Sequence, residues 1–419
     1  MQTNLSSEFK GTPDGEAAEA ILRKCVHCGF CTATCPTYQL LGDELDGPRG
    51  RIYLIKEVLE GAVPTRKTQS HLDRCLTCRN CETTCPSGVQ YGNLVEIGRR
   101  IVDEKVERPR GEQAVRWLLK EGLTSPLFGP AMKLGQLVRP LLPASLKSKV
   151  AAKPRAAEQA RAHRWPQREH PRKVLMLMGC VQPTMLPNIN SATARVLDVA
   201  GIQTVVAEEA GCCGAIRSHL GDHEGGLADM RRNIDAWWPS VLANKVEAIV
   251  MNASGCGATV KAYGHALARD EAYAEKARRI SELTKDLSEL LPQLVPLLKP
   301  RLHRQPTTRL AFHPPCTLQH AQQLRGGVET HLGALGFDVQ LSPSESHLCC
   351  GSAGTYSVLQ PVLATQLRDR KLANLAEVEA QVIVSANVGC IQHLQSGTAT
   401  PVKHWVEVLD ESLQGTAPV

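Results

Sequence analysis

The cysteines constrain this 419-residue chain more than any other feature. All sixteen fall into four groups of four, with none left over. The first two groups share the spacing C-x2-C-x2-C-x3-C-P and lie fifty residues apart, so they form an internal repeat. Their members are Cys25, Cys28, Cys31 and Cys35, followed by Cys75, Cys78, Cys81 and Cys85.

The other two groups form a second, looser repeat with a period of about 135 residues. Each has a single cysteine, then an adjacent pair followed by glycine, then a last cysteine. Their members are Cys180, Cys212, Cys213 and Cys256, followed by Cys316, Cys349, Cys350 and Cys390. This regularity indicates that each group serves one site.

The sequence indicates a reducing compartment. The N-terminus MQTNLSSEFKGTPDGE has no basic segment followed by an apolar one, so we expect a cytoplasmic protein. Clustered thiols in that compartment are typically metal ligands or redox groups and not disulfides. No apolar run approaches the roughly 20 residues that span a bilayer, so we expect any membrane contact to be peripheral, at the cytoplasmic face of the inner membrane.

The spacing of the first two groups predicts two [4Fe-4S] clusters. It is the bacterial ferredoxin pattern, in which the fourth cysteine of each run binds the other cluster. Cluster 1 is then held by Cys25, Cys28, Cys31 and Cys85, and cluster 2 by Cys75, Cys78, Cys81 and Cys35. Structural zinc is the alternative, but it favours two CxxC pairs over three evenly spaced cysteines with a fourth before proline.

In the second repeat, each cysteine or cysteine pair follows a predicted strand. The strand KVLMLMG leads to Cys180, for example, and QVIVSANVGC ends in Cys390. In an open α/β sheet the loops after the strands meet at one edge, so the four thiols of each copy are expected to converge there. The candidates for each site are an additional iron-sulfur cluster, a zinc ion or a redox-active thiol set, and cysteines that merely pack as small apolar residues are the alternative.

These patterns predict an α+β protein, with a helical two-cluster ferredoxin-like domain followed by a duplicated α/β cysteine-rich (CCG) domain pair. We place these domains at residues 1–110, 173–300 and 301–419, and between them, at 111–172, a linker that is apolar and then basic.

The two parts of the linker have different expected roles. The apolar part, 117–146, is expected to pack over the cluster domain, with a membrane or a partner as the alternative surface. The basic part, 147–173, carries a charge of +7 in a chain of net charge +6. We interpret it as a solvated connector, or else as a patch for an acidic partner or anionic lipid. Nucleic acid is not expected as a partner, since the flanking blocks have no basic excess and aromatic residues make up only 4% of the chain.

The sequence shows no substrate site. It contains no dinucleotide fingerprint, P-loop or nucleophile elbow, and no recognisable pair of catalytic carboxylates. His27 and His313 are interpreted as solvated or capping loop residues. Since an organic substrate loses two electrons together while a cubane cluster takes one, a flavin must stand between them, and we expect it on a partner chain.

The individual domains resemble known families. The N-terminal repeat resembles the two-cluster domain of succinate-dehydrogenase-like iron-sulfur subunits. The CCG units resemble the cysteine-rich domains of heterodisulfide reductase subunits, which hold unusual iron-sulfur clusters. Those domains carry a further cysteine three residues after the last one, and here Thr259 and His393 take its place.

Over essentially its whole length the chain resembles the iron-sulfur subunits of glycolate oxidases, which are bacterial glycolate dehydrogenases. The stretch CPTYQLLGDELDGPRGRIYLIK and the domain order carry the specificity of this resemblance. It implies an oxidoreductase complex whose FAD-binding subunits oxidise glycolate to glyoxylate, or D-lactate to pyruvate. This chain would relay the electrons to a quinone or another acceptor and would hold no catalytic residue.

Three other functions are compatible with these motifs. One is the iron-sulfur subunit of a lactate-utilisation or anaerobic glycerol-3-phosphate dehydrogenase complex. Another is a heterodisulfide-reductase-like enzyme that acts at the CCG sites, and the third is a zinc scaffold.

Overall fold

The first 110 residues form a helical domain in the computed structural model, which describes residues 1–141, 150, 156–303 and 308–414. Prolines occupy the first position of several of its helices, where their fixed φ suits the helical turn and no backbone donor is lost. The helices are α1 (Pro13–Lys24), α2 (Phe30–Ala33), α3 (Pro36–Leu41), α4 (Pro48–Leu59), α5 (Arg66–Asp73), α6 (Asn80–Thr84) and α7 (Tyr91–Lys105), with a 3-10 turn at Glu44–Asp46.

The core of this domain lies where α4 and α7 cross. Leu59 of α4 and Leu94 of α7 are fully buried there. Gly98 permits the close approach of the two helices, because a Cβ at this position would lie 2.6 Å from Cγ1 of Ile55. The longer helices thus hold in place the two short loops that carry the cysteines.

The segment after the helical domain forms α8 (Arg110–Thr124), α9 (Phe128–Val138) and α10 (Ala156–Ala162). Helix α8 bridges its neighbours through charged side chains, with Arg116 3.1 Å from Asp73 and Glu121 2.9 Å from Arg217. These ion pairs turn the apolar side of the helix outward, and Trp117 remains 61% exposed. The prediction that this apolar stretch packs over the cluster domain is therefore wrong for α8.

Two stretches of the basic segment, 147–149 and 151–155, fall outside the described residues, as does the end of the apolar part, 142–146. In the part that the structure describes, Arg161 of α10 lies 2.7 Å from Glu411 near the C-terminus. The linker and domain boundaries stay predictions.

Each CCG copy contains a four-stranded parallel sheet. The strands of the first are β1 (Arg172–Met176), β2 (Ile202–Val205), β3 (Ala248–Met251) and β4 (Thr284–Asp286), in the order β2-β1-β3-β4. Those of the second are β5 (Arg309–His313), β6 (Asp338–Leu341), β7 (Val382–Ser385) and β8 (Val402–His404), in the order β6-β5-β7-β8. The shared strand order shows that the two copies are one fold used twice.

Helices cover both sheets. Around the first they are α11 (Gln182–Met185), α12 (Asn188–Val199), α13 (Ala215–His219), α14 (His223–Leu242), α15 (Ser254–Lys261), α16 (Tyr263–Ala266), α17 (Ala274–Leu283) and α18 (Leu291–Leu298). Around the second they are α19 (Gly327–Ala334), α20 (Tyr356–Leu359), α21 (Pro361–Ala376), α22 (Val388–Gln395) and α23 (Trp405–Leu413), with a π-helical turn at Thr317–Ala321.

The two copies share a continuous apolar core that includes Val174, Leu197, Leu310 and Trp405. Helix α12 of the first copy packs against α23 of the second. The predicted α+β class, with a helical domain followed by a duplicated α/β pair, is confirmed. Within residues 1–141, 156–303 and 308–414, none of the helices combines the length and apolar character needed to cross a bilayer.

Candidate metal centres

The two ferredoxin-type loops have matching backbone conformations. In the first loop, His27 and Gly29 adopt φ values of 57° and 85°; in the second, Thr77 and Arg79 adopt 50° and 57°. A residue other than glycine in this left-handed region costs on the order of 1 kcal/mol or more, and such strain is typical of functional sites. The turns wrap each loop around the space that its cysteines face.

The two loops cross, and each contributes to the other's cavity. The first cavity is lined by Cys25, Cys28 and Cys31 from one run and by Cys81 and Cys85 from the other. The second is lined by Cys75, Cys78, Cys81 and Cys35. The structure therefore brings together both sets of four cysteines that the spacing predicts, with Cys81 bordering both cavities.

The thiols in these cavities are crowded. Burial, together with Cys25, Cys85 and Cys28 nearby, raises the pKa of Cys31 to about 11. Burial likewise raises the pKa of Cys78 and of Cys81 well above the usual value. Four such thiols ionise together only if a positive centre compensates their charge, as a metal cluster does, so the donor set fits.

Cluster site 2 also contains a buried cation, Arg51, whose side chain is 1% exposed. Its guanidinium donates to the carbonyl of His71 at 2.7 Å and to Oγ1 of Thr37 at 3.2 Å. Burial acts to raise the pKa of Cys75. The nearby positive charges of Arg51 and Arg99 outweigh this effect, so the pKa of Cys75 is lowered overall. The site thus favours a thiolate at Cys75.

The two cluster sites differ in exposure. Cys28 in the first loop is exposed, and the flanking Val26 and Phe30 are 69% and 62% exposed. The second site is covered by the second CCG copy, whose Tyr356 donates a hydrogen bond to the carbonyl of Arg74 at 3.1 Å. Site 1 faces solvent and site 2 faces the rest of the chain.

In the first CCG copy, the four cysteines converge after the strands. Cys180 follows β1, the pair Cys212 and Cys213 follows β2, and Cys256 lies at the start of α15 after β3. Hydrogen bonds link the sulfurs in sequence from Cys180 to Cys212, Cys213 and Cys256. The interactions with Cys180 and Cys213 lower the pKa of Cys212.

In the second CCG copy, Cys316, Cys349, Cys350 and Cys390 are linked by hydrogen bonds in the same sequence. This site adjoins the ferredoxin-like domain, since Cys316 and Cys349 share one apolar cluster with Leu76 and with Cys78. The first CCG site does not share this position, because Cys213 and Cys256 pack in the core of their own copy.

Thr259 and His393 stand where related cysteine-rich domains carry a further cysteine, and both side chains hydrogen-bond to backbone carbonyls. Oγ1 of Thr259 donates to the carbonyl of Gly255 at 3.0 Å, and Nε2 of His393 donates to the carbonyl of Ala364 at 3.0 Å.

The sequence patterns do not identify two buried residues at these sites, Arg51 and His313. Arg51 carried a readable signal, because it shares the apolar face of α4 with Ile55 and Leu59. The expectation that His313 is a solvated or capping loop residue is wrong, because His313 ends strand β5 and is 1% exposed. No local pattern around "AFHPPC" distinguishes a buried strand end from a loop.

Family comparisons agree with this division of the chain. The model described as "4Fe-4S dicluster domain" matches residues 21–89, and that described as "Cysteine-rich domain" matches 174–261 and 310–395. Together with the converging thiols, they define an iron-sulfur protein of the electron-transfer class.

Two similar proteins extend over nearly the whole chain. The glycolate oxidase iron-sulfur subunit of Escherichia coli (strain K12) is 55% identical over 99% of this chain and 100% of its own length. The probable glycolate oxidase iron-sulfur subunit of Bacillus subtilis (strain 168) is 32% identical over 94% of this chain and 92% of its own. The chain belongs to the family of glycolate oxidase iron-sulfur subunits.

A more distant relative matches less of the chain. Lactate utilization protein A of Bacillus licheniformis is 26% identical over 57% of this chain and 99% of its own length.

Proposed function

We propose that this chain is the electron-transfer subunit of a glycolate oxidase complex. Its partner subunits carry FAD and oxidise glycolate to glyoxylate, or D-lactate to pyruvate. The two electrons pass through this chain one at a time to a quinone, which takes up two protons. The substrate site lies on the partner, and this chain contributes no catalytic residue.

The crossing of the two cysteine loops is the observation that carries this proposal. It supports cluster 1 at Cys25, Cys28, Cys31 and Cys85, and cluster 2 at Cys75, Cys78, Cys81 and Cys35. When bound, [4Fe-4S] clusters accept and release single electrons at potentials set by burial, charge and hydrogen bonds to sulfur. The chain's own residues hold the two sites side by side, since Cys81 borders both cavities.

The two cluster sites differ in exposure, and this difference indicates which site faces a partner subunit. Cys28 is exposed between the apolar side chains of Val26 and Phe30, whereas cluster site 2 lies beneath the second CCG copy. We infer that a partner subunit exchanges electrons through the cluster 1 end.

Replacing Cys28 tests this function. Cys28→Ser removes one thiolate of cluster 1, so reduction of a quinone analogue by the complex should fall to background. Flavin reduction by glycolate should continue at the wild-type rate, because it takes place on the partner. Ser87→Ala is the matched control, since Ser87 lines the same cavity without a thiol. If Cys28→Ser reduced the analogue normally, this chain would not be the relay.

The apolar side of α8 and α9 supports peripheral membrane contact at the cytoplasmic face of the inner membrane. Trp117 and Leu118 of α8 and Leu134 and Leu137 of α9 are 61 to 72% exposed, and Leu141, just after α9, is 86% exposed. Apolar side chains beside a basic segment suit an anionic bilayer surface. Trp117→Ser with Leu118→Ser should weaken co-sedimentation of the full chain with anionic vesicles, and unchanged binding would contradict this contact.

A further inference from the structure

We infer that the second CCG copy binds a single zinc-class metal ion and that His313 is one of its ligands, together with Cys350 and Cys390. The ligand atoms of these three residues lie within 4.8 Å of one another, and all three side chains are buried. None of these three residues lines either of the two cluster cavities.

The spacing of these atoms suits one ion. With zinc bonds of about 2.0 Å to nitrogen and about 2.3 Å to sulfur, tetrahedral ligands stand roughly 3.6 Å apart, so only a small contraction is needed. All eight ferredoxin-type cysteines lie in the described part of the chain, and no three of their sulfurs lie within 4.8 Å of one another. Cys349 interacts with Cys350 but lies outside this three-residue group, so its sulfur would have to move closer to supply a fourth ligand.

His313 has no other evident role. Its side chain is 1% exposed, and neither ring nitrogen has a hydrogen-bond partner among the described residues. A buried imidazole without partners is costly to a fold, whereas coordination would satisfy one nitrogen. Imidazole and thiolate are the donors that zinc prefers.

The polar groups around the site suit a metal complex. Nδ2 of Asn387 donates to Sγ of Cys390 at 3.7 Å, as expected for an outer-shell partner that orients a thiolate ligand. Lys371, 2% exposed, is held by the carbonyls of Glu345 and Ser346 and places a buried cation near Cys316 and Cys350. It offsets the negative charge that three thiolates leave around a divalent ion.

The first copy provides an internal comparison. The strand ladders pair Val174 with Ala248 and Leu310 with Val382, so His313 corresponds to Leu177. Leu177 is 3% exposed and shares an apolar cluster with Cys213. Of the two copies in this chain, only the second therefore has an imidazole donor at this position.

The first test is zinc-edge X-ray absorption and metal analysis on the anaerobically purified full chain. We expect one zinc per chain with one nitrogen at about 2.0 Å and sulfurs at about 2.3 Å. An all-sulfur shell or the absence of zinc would overturn the inference. Absence of zinc together with iron and sulfide clearly above the roughly eight of each that two [4Fe-4S] clusters contain would mean that clusters occupy the CCG sites instead.

The second test uses variants at the same position. His313→Leu introduces the residue of the first copy and should lose the zinc, while His313→Cys should retain it with an all-sulfur shell. His331→Leu, in helix α19 of the same copy, is the matched control and should keep the wild-type spectrum. Unchanged zinc content and coordination in His313→Leu would overturn the inference. If His313→Leu fails to fold, the nitrogen in the wild-type spectrum decides.

Discussion

At the scale of single residues, Arg51 is the clearest link between packing and redox chemistry. Its guanidinium lies fully buried beside cluster site 2 and is held by His71, Thr37 and Asp46. A fixed positive charge beside a cluster favours the reduced and more negative state. Arg51 should therefore raise the reduction potential of cluster 2.

Removing this charge gives a measurable shift. A unit charge within about 8 Å, at an effective dielectric constant of about 20, contributes on the order of 2 kcal/mol, or about 100 mV for one electron. Arg51→Gln should lower one of the two cluster potentials by about this amount in an EPR-monitored redox titration. Arg51→Lys keeps the charge and serves as the control. If the reduction potentials of both clusters were unchanged in Arg51→Gln, Arg51 would not raise the potential of cluster 2.

At the scale of elements, the contact between α4 and α7 fixes the frame that carries the cysteine loops. Gly98 is required there by space and not by backbone conformation, because an added Cβ would meet Ile55 at 2.6 Å. Gly122 in α8 is a helical glycine with nothing within 4 Å of an added Cβ.

Replacing these two glycines by alanine should change the stability of the protein in opposite directions. Gly98→Ala should destabilise the domain by about 1 to 2 kcal/mol, since overpacking outweighs the gain in helix propensity. Gly122→Ala should be stabilising by up to about 1 kcal/mol. The midpoints of thermal unfolding, followed by circular dichroism, should move in opposite directions. A Gly98→Ala midpoint at or above that of the wild type would show that the helices do not pack this closely.

Much at this scale was predictable. The helix containing Ile52, Ile55, Val58 and Leu59 follows from apolar periodicity, and the strands of the CCG copies follow from short β-branched runs before each cysteine. The outward-facing side of α8 was not predictable, because it depends on ion pairs with Asp73 and Arg217, which come from elements distant in sequence. The same reason applies to His313, since its burial is set by neighbouring strands and helices.

At the scale of the whole molecule, the two cluster sites have unequal access to solvent. Cluster site 1 opens at Cys28, whereas the second CCG copy covers cluster site 2 through Tyr356 and the apolar contacts of Leu76. Protection from solvent slows attack on a cluster by small oxidants and chelators.

Loss of iron should therefore occur in two phases. On exposure of the full chain to ferricyanide and a chelator, about half of the cluster iron should leave quickly, as expected for one of two [4Fe-4S] clusters. Iron release followed by absorbance, together with EPR of the remaining cluster, checks this order. A single phase for all the iron would show that the CCG copy does not shield cluster site 2.

The central claim is that electrons from the flavin-bearing partner pass through the clusters of this chain. The most direct measurement compares quinone-analogue reduction by the flavin-bearing subunits with the cluster-loaded chain and with the same chain stripped of iron. The account predicts rapid reduction only with the loaded chain, while glycolate reduces the flavin in both samples. Equal rates of quinone-analogue reduction with loaded and stripped chains would contradict it.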